Sequence, residues 1–162
     1  PILFEDLVTL THEHDGPSAV VALKRSTGEI AWRTERTSTL AAYATPLLFP
    51  DGVLVLASSR VGLSGLDART GEVLWEEPCF EQRCVGSLTR LGDRLVAASD
   101  GSGGKGHRLV AVRTDRVLPA GESRLVWSLD RTIPYCPTSV AGGENLYMIL
   151  DNGVARAVRC QT

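Results

Sequence analysis

Long apolar runs are missing from this sequence. Nothing in its 162 residues approaches the ~18 consecutive apolar positions that a helix needs to span a bilayer. Charge of one sign is missing as well: the formal net charge is −2, which leaves no electrostatic footprint for nucleic acid or an anionic membrane surface. The opening residues Pro1-Ile2-Leu3-Phe4-Glu5-Asp6 lack the basic start and apolar core of a signal peptide, and no Met stands at position 1. The chain is therefore expected to begin inside a longer gene product. Cysteines are few (Cys79, Cys84, Cys136 and Cys160), and their spacings lack the paired short intervals of a zinc site. Cys79 and Cys84 flank a short loop and form a candidate disulfide; the other reading is four unpaired thiols. Sustained helical periodicity with caps is absent throughout. What is present is an ordinary globular mix, 43% hydrophobic and 22% charged, which argues against disorder.

An internal repeat organises the chain. The stretch Ala22-Leu23-Lys24-Arg25-Ser26-Thr27-Gly28-Glu29-Ile30-Ala31-Trp32 recurs as Gly65-Leu66-Asp67-Ala68-Arg69-Thr70-Gly71-Glu72-Val73-Leu74-Trp75. A third copy runs from Ala111-Val112-Arg113 to Trp127, is longer, and has lost its Thr-Gly. A fourth opens at Ala157-Val158-Arg159 and reaches Thr162. The period is about 45 residues. Each period holds four short β-like runs between turn signals. In the second they fall at 45–49, 53–57, 62–66 and 73–77; in the third, at 85–89, 94–99, 108–112 and 125–129. The first period starts at its second strand, 7–11, and the last ends after its third, 154–159. Asp51-Gly52 signals a hairpin turn, and the Gly of each Thr-Gly supplies a positive φ at little cost.

Four short antiparallel strands per period is the plan of a β-propeller blade. The predicted fold is all-β, with two complete and two partial blades: 1–36 partial, 37–78, 79–130 with an insertion, and 131–162 partial. A β-sandwich is the alternative, but a sandwich does not require one block to recur at near-constant spacing. The third strand is apolar on both faces at Val20, Val21, Ala22 and Leu23, which suits burial between neighbouring blades. Trp32, Trp75 and Trp127, each on a fourth strand, are placed to reach over a turn onto the next blade, where the indole N–H needs an acceptor. Thr27, Gly28, Thr70 and Gly71 complete this blade-docking set. The plainer alternative is that the three indoles are ordinary core residues.

The block small-Leu-x-x-x-Thr-Gly-x-x-x-Trp resembles the tryptophan-docking motif of pyrroloquinoline-quinone-like propeller repeats. Ala44-Thr45-Pro46-Leu47-Leu48-Phe49 before Asp51-Gly52-Val53-Leu54-Val55 resembles the family's first two strands, and Pro137-Thr138-Ser139-Val140 before Asn145-Leu146-Tyr147 is similar. The resemblance covers nearly the whole chain and extends to secreted bacterial proteins and to the outer-membrane assembly lipoprotein. It implies an extracytoplasmic protein and a ring of about seven or eight blades. The chain is then a segment of a larger ring, a small four-bladed ring, or half of a ring completed by a second copy. Open blade edges left by a segment are expected to seek a protein partner.

The same resemblance gathers the loops between second and third strands, and the loops joining blades, on one face of the ring. That face would carry His12, His14, Asp15, Arg60, Lys105, His107, Asp151 and Asn152, together with Cys79 and Cys84. His12 and His14 fall on one side of a strand beside Asp15, a set able to bind a metal; a polar loop is the plainer explanation, and no metal is expected. Gly101-Ser102-Gly103-Gly104-Lys105-Gly106 matches a phosphate-loop pattern, but a β-like run follows where a helix is required. Quinone-dependent dehydrogenases of this fold carry an adjacent-cysteine disulfide and an acidic calcium site. The sequence holds no Cys-Cys pair, no dense acidic constellation and no Gly-x-Ser-x-Gly elbow. A non-catalytic scaffold without pyrroloquinoline quinone or calcium is the first expectation. The alternative is a fragment of a quinoprotein dehydrogenase whose catalytic residues lie in other blades. Tyr43 and Tyr135 offer thin support for a third reading, carbohydrate binding.

Overall fold

The computed structural model describes residues 1–38, 40–92, 95–102 and 105–160. Among these there is no helix, and the strands form four antiparallel meanders in which strand order follows chain order. Sheet 1 is β1 (Ile2–Phe4), β2 (Leu7–His12), β3 (Ser18–Lys24) and β4 (Ile30–Arg36). Sheet 2 is β5 (Leu47–Leu48), β6 (Val53–Ser58), β7 (Gly62–Asp67) and β8 (Val73–Glu77). Sheet 3 is β9 (Thr89–Leu91), β10 (Leu95–Ser102), β11 (Lys105–Arg113) and β12 (Leu125–Leu129). Sheet 4 has three strands among the described residues: β13 (Val140–Gly142), β14 (Asn145–Ile149) and β15 (Ala155–Arg159).

Two expectations are corrected here. Residues 1–36 hold a complete four-stranded sheet, because Ile2–Phe4 pairs with Leu7–His12 through Phe4↔Leu7. Three residues are too few to display a period of two, and the tight turn rests on Glu5 at φ 53°, a conformation its residue type does not advertise. The first strand of the third period lies at Thr89–Leu91 and not at 85–89. Ser87 belongs to the preceding connection, where its N–H donates to Thr138 Oγ1 at 3.0 Å.

Alternation along the strands decides how the sheets pack. In β6 every residue is buried, which requires a neighbour on each face. Leu54 and Leu56 join Leu7, Val20, Ala22 and Trp32 of sheet 1. Val53, Val55 and Ala57 point the other way, to Val110 and Val112 of sheet 3. Leu109 and Ala111 of β11 in turn meet Leu146 and Met148 of sheet 4. The sheets therefore stack in series, 1 on 2 on 3 on 4, and two facing layers of a sandwich are ruled out. Each fully buried Leu or Val contributes roughly 1.5–3 kcal/mol, spread over three apolar seams.

The indoles occupy one recurrent place. Trp32 pairs with Ala22, Trp75 with Gly65 and Trp127 with Ala111, and in each sheet the register slips immediately afterwards. The bulge sits beside the ring, and the small cross-strand partner leaves room for it: a Cβ on Gly65 would lie 2.2 Å from Trp75. At the first joint Trp32 Nε1 donates to Ala68 O at 3.2 Å, and Thr34 Oγ1 donates to Gly71 O at 2.6 Å. Gly71 has φ 75°, and its missing Cβ makes room for the Trp32 ring: a Cβ there would lie 2.4 Å from it. At the second joint the Thr-Gly turn has been replaced by the longer 114–124 loop. Trp75 Nε1 is buried without a hydrogen bond, and Arg124 lies over the ring at 4.2 Å instead. Trp127 is half-buried and its Nε1 also lacks a hydrogen-bond partner. Thr27 and Thr70 do the same work in both intact turns, each Oγ1 accepting the N–H two residues on.

Gly28 and Gly71 make a matched test. Both have φ near 75°, but nothing lies within 4 Å of a Cβ placed on Gly28. Gly28→Ala is expected to cost about 1 kcal/mol for the left-handed backbone alone. Gly71→Ala should cost a further ~2 kcal/mol for overpacking against Trp32. Urea unfolding midpoints of the two variants check this, and equal losses would contradict the docking geometry.

Candidate functional site

The sheet-joining connections, the β2–β3, β6–β7 and β14–β15 turns and the facing ends of β10 and β11 meet at one end of the stack, opposite the Thr-Gly turns. Backbone and side-chain hydrogen bonds link them. Ala41 N–H donates to Asp15 Oδ1 at 3.0 Å, and Ser59 Oγ donates to Ala41 O at 2.9 Å. Cys84 N–H donates to Ser59 Oγ at 3.1 Å, Arg60 N–H to Gln82 O at 3.2 Å, and Gly101 N–H to Arg83 O at 3.0 Å. Cys79 and Cys84 are buried in the seam between sheets 2 and 3; Cys136 is exposed and Cys160 half-buried.

The candidate residues fall into separate groups on this surface. His12 and His14 face each other, ring centroids 4.6 Å apart, but the Asp15 carboxylate is turned to Ala41 and to Arg83, 3.6 Å away. Among the described residues no three His, Cys, Asp or Glu side chains gather to hold a metal. Arg60 is exposed with φ 61°. Asn152 Oδ1 accepts Val154 N–H and shapes its own turn. Lys105 begins β11, directly after positions 103 and 104, which lie outside the described residues together with that part of the glycine pattern.

Two arrangements with unusual electrostatics stand out. Asp151 takes the N–H groups of Tyr135 and Cys136 at 2.7 and 3.2 Å. Slight burial pulls its pKa up, but those two donors and the nearby His107 outweigh it and hold the carboxyl below its ordinary value. His107 stands edge-on to Tyr135, centroids 6.1 Å apart, and its Nδ1 is buried without a hydrogen bond. The second arrangement lies in the seam between sheets 1 and 2, where the sequence reading foresaw the indole dock but no buried ion pair. Glu13 and Arg36 are both 97% buried, since their side chains keep 3% exposure each, with Arg36 Nε 3.6 Å from Glu13 Oε1. Ser58 Oγ donates to Glu13 at 2.5 Å. Arg36 Nη2 donates to Ser64 at 2.6 Å and Ser58 at 3.2 Å, and Nη1 to Glu76 at 3.3 Å. Glu13 Oε2 has no partner and borders a cavity of about 10 Å³ lined by Thr11, Ala42 and Leu56, space for about one water. Burial raises the Glu13 pKa, against the Ser58 hydrogen bond and the Arg36 charge. The signal was in the alternation: Trp32, Thr34 and Arg36 share the inward face of β4, so an arginine there needs a buried carboxylate.

Asp15, Ser59, Asp151 and Asn152 are spent on holding these loops in shape. The comparisons with known proteins agree with the architecture. The family model described as outer membrane protein assembly factor BamB matches residues 17–162. The chain belongs to this family of pyrroloquinoline-quinone-like β-propeller repeat proteins. BamB from Moraxella catarrhalis is similar over 96% of this chain and 43% of its own length, at 18% identity and TM-score 0.66. A europium-containing methanol dehydrogenase is similar over 82% of this chain and 24% of its own, at 17% identity and TM-score 0.61. The quinohemoprotein alcohol dehydrogenase ADHIIG from Pseudomonas putida HK5 covers 83% and 20%, at 19% identity and TM-score 0.60. No curated protein matches the chain. The chain thus spans less than half the length of each of these structures, and the likeness establishes a partial propeller.

The Glu13–Arg36 joint gives a pH test. A carboxyl whose pKa is raised on folding binds more protons folded than unfolded above its ordinary value of 4.5. Its contribution to stability is therefore largest at low pH and falls as pH climbs through the folded pKa. Unfolding free energies of the native chain and Glu13→Gln, measured from pH 4 upward, should diverge in favour of the variant as pH rises. A constant difference would contradict this.

Proposed function

We propose that the chain is a non-catalytic propeller scaffold that works outside the cytoplasm and binds a protein partner through its loop end and its open sheet surfaces. The observation that carries this reading is the contrast between the three filled seams and the two outer faces. Sheet 1 leaves Leu3 63% and Leu10 38% exposed on its outer face; sheet 4 leaves Val140 64% and Ile149 57% exposed on its own. Apolar area of this kind calls for a cover, either a further sheet of the same ring or a partner. Among the described residues β15 stands at the edge of its sheet, where an extended peptide can pair. Membership of a family described by outer-membrane protein assembly supports both the location and a protein partner. Among the described residues no helix is long and apolar enough to cross a membrane, and the weak net charge gives nucleic acid no handle.

The scaffold uses neither pyrroloquinoline quinone nor calcium. In support, the loop-end carboxylates are already committed: Asp15 to Ala41 and Arg83, Asp151 to Tyr135 and Cys136, Glu13 to Ser58 and Arg36. The competing reading, a fragment of a quinoprotein dehydrogenase with its catalytic residues in other blades, shares the fold with the two dehydrogenases. Adding the quinone and calcium to the longest form of the protein, with an alcohol and a redox dye, separates the two. No cofactor absorbance and no dye reduction are expected; turnover would overturn the scaffold reading.

Export into an oxidising compartment implies a Cys79–Cys84 disulfide. Both residues lie in one buried cluster, five positions apart on the same connection. In protein purified from an exported form and denatured without reductant, Cys136 and Cys160 are expected to alkylate while Cys79 and Cys84 resist until dithiothreitol is added. Alkylation of all four at once would dismiss the bridge.

A further inference from the structure

We propose that the connections leading into sheets 2, 3 and 4 are locked into one rigid platform by a hydrogen-bond relay along the first-strand edge. In it the hydroxyl of Ser87 holds the N–H of Thr45, and the hydroxyl of Thr138 holds the N–H of Ser87. The inference goes beyond the scaffold reading and needs no bound partner.

Register makes the three residues equivalent. Leu47, Thr89 and Val140 pair with Val55, Ala97 and Tyr147, which pair in turn with Gly65, Ala111 and Ala157. Thr45, Ser87 and Thr138 each stand two residues before that first-strand position, and all three carry a hydroxyl. Because β5, β9 and β13 are the edges of their sheets, N–H groups on this side have no strand to meet and need another acceptor. Thr45 N–H donates to Ser87 Oγ at 3.3 Å, and Ser87 N–H donates to Thr138 Oγ1 at 3.0 Å. Ser87 thus accepts through its side chain and donates through its backbone. It cannot shift without disturbing both neighbours.

A second bond braces each link. Tyr43 N–H donates to Cys84 O at 2.8 Å. Thr89 Oγ1 donates to Ser139 O at 2.7 Å, and both of those residues are buried. Gly86 lets the two backbones run this close: a Cβ there would lie 3.1 Å from Pro137 O and 3.5 Å from Cys136 O. The same connections carry Tyr43, residues 79–84, Tyr135 and Cys136 at the loop end. Their other ties run to the turns, Arg60 N–H to Gln82 O and Asp151 to Tyr135 and Cys136. Loops ordered in advance present one surface, which lowers the ordering cost of any contact that spans them.

Water serves an isolated exposed N–H nearly as well as a hydroxyl does, so a lock is recognised by coupling along the relay. Residue-resolved amide hydrogen exchange, followed by NMR on the 162-residue chain, measures that coupling. Thr138→Ala removes the last hydroxyl. Exchange at the Ser87 N–H is expected to speed up roughly fivefold to tenfold. Exchange at the Thr45 N–H, one link further on, should rise with it. Both should change by more than Leu54 and Val110 in the buried seams. Thr138→Ser keeps the hydroxyl and should restore both rates. Ser87→Ala is a second variant, which takes the acceptor from Thr45 directly and should accelerate it at least as much. Acceleration confined to Ser87 in Thr138→Ala would make the bonds independent of one another. No acceleration at either amide would make them dispensable, and equal acceleration at Leu54 and Val110 would reduce the effect to overall stability. Each of these three results overturns the proposal. The scaffold reading survives all of them, since it falls on quinone-dependent turnover.

Discussion

Burial on both faces of the middle strands is the constraint from which the rest of this structure follows. A strand such as β6 has no solvent side, so it cannot exist in a lone sheet and demands a layer above and a layer below. Alternation then assigns its side chains, Leu54 and Leu56 to one seam and Val53 and Val55 to the other. Once one sheet has two neighbours, the next meets the same demand. The outcome is a series of sheets and not a closed pair, and any end of the series exposes a surface made for burial.

Within that series the seams are built from one plan with local substitutions. The first joint carries a complete set: indole to carbonyl, threonine to carbonyl, and a left-handed glycine under the ring. The second joint has lost the turn and replaces its acceptor with a guanidinium stacked on the indole, a contact worth roughly 0.5–2 kcal/mol. The same arginine donates to the Arg113 and Asp115 carbonyls, so it holds the longer loop in the shape that brings it to the ring. Arg116 of that loop reaches back to Asp67 at 2.7 Å; burial pulls the Asp67 pKa up, but the Arg116 guanidinium and the N–H groups of Arg69 and Thr70 together outweigh it and hold the carboxyl below its ordinary value.

Polar chemistry is sorted by position along the seam. Toward the Thr-Gly turns the contacts are aromatic and backbone, with ion pairs that keep solvent access, Arg69 with Glu5 and Arg116 with Asp67. Toward the loop end they are ionic, with Glu13, Arg36, Ser58 and Ser64 sealed between sheets 1 and 2. A buried ion pair costs desolvation that packing alone would not incur, and its partners must be set in register for the charges to cancel. The pair therefore fixes how one sheet slides over the next, which an oily seam of leucines leaves loosely specified.

The sequence by itself determined the period, the strand content and the series of blades. Thr27-Gly28 and Thr70-Gly71 state a turn through their own backbone preference, and Trp32, Trp75 and Trp127 mark one strand position by their spacing. These are local properties, and local physics carries them. It did not yield β1, whose three residues show no alternation and whose turn depends on a left-handed glutamate. Nor did it yield the Glu13–Arg36 pair, whose members come from different strands and meet Ser58 and Ser64 of another sheet. The loop-end residues His12, Asp15, His107 and Asp151 were legible as polar loop residues. Their separation into unconnected groups was decided only by tertiary structure, because which carboxylate meets which N–H depends on how neighbouring sheets place their loops.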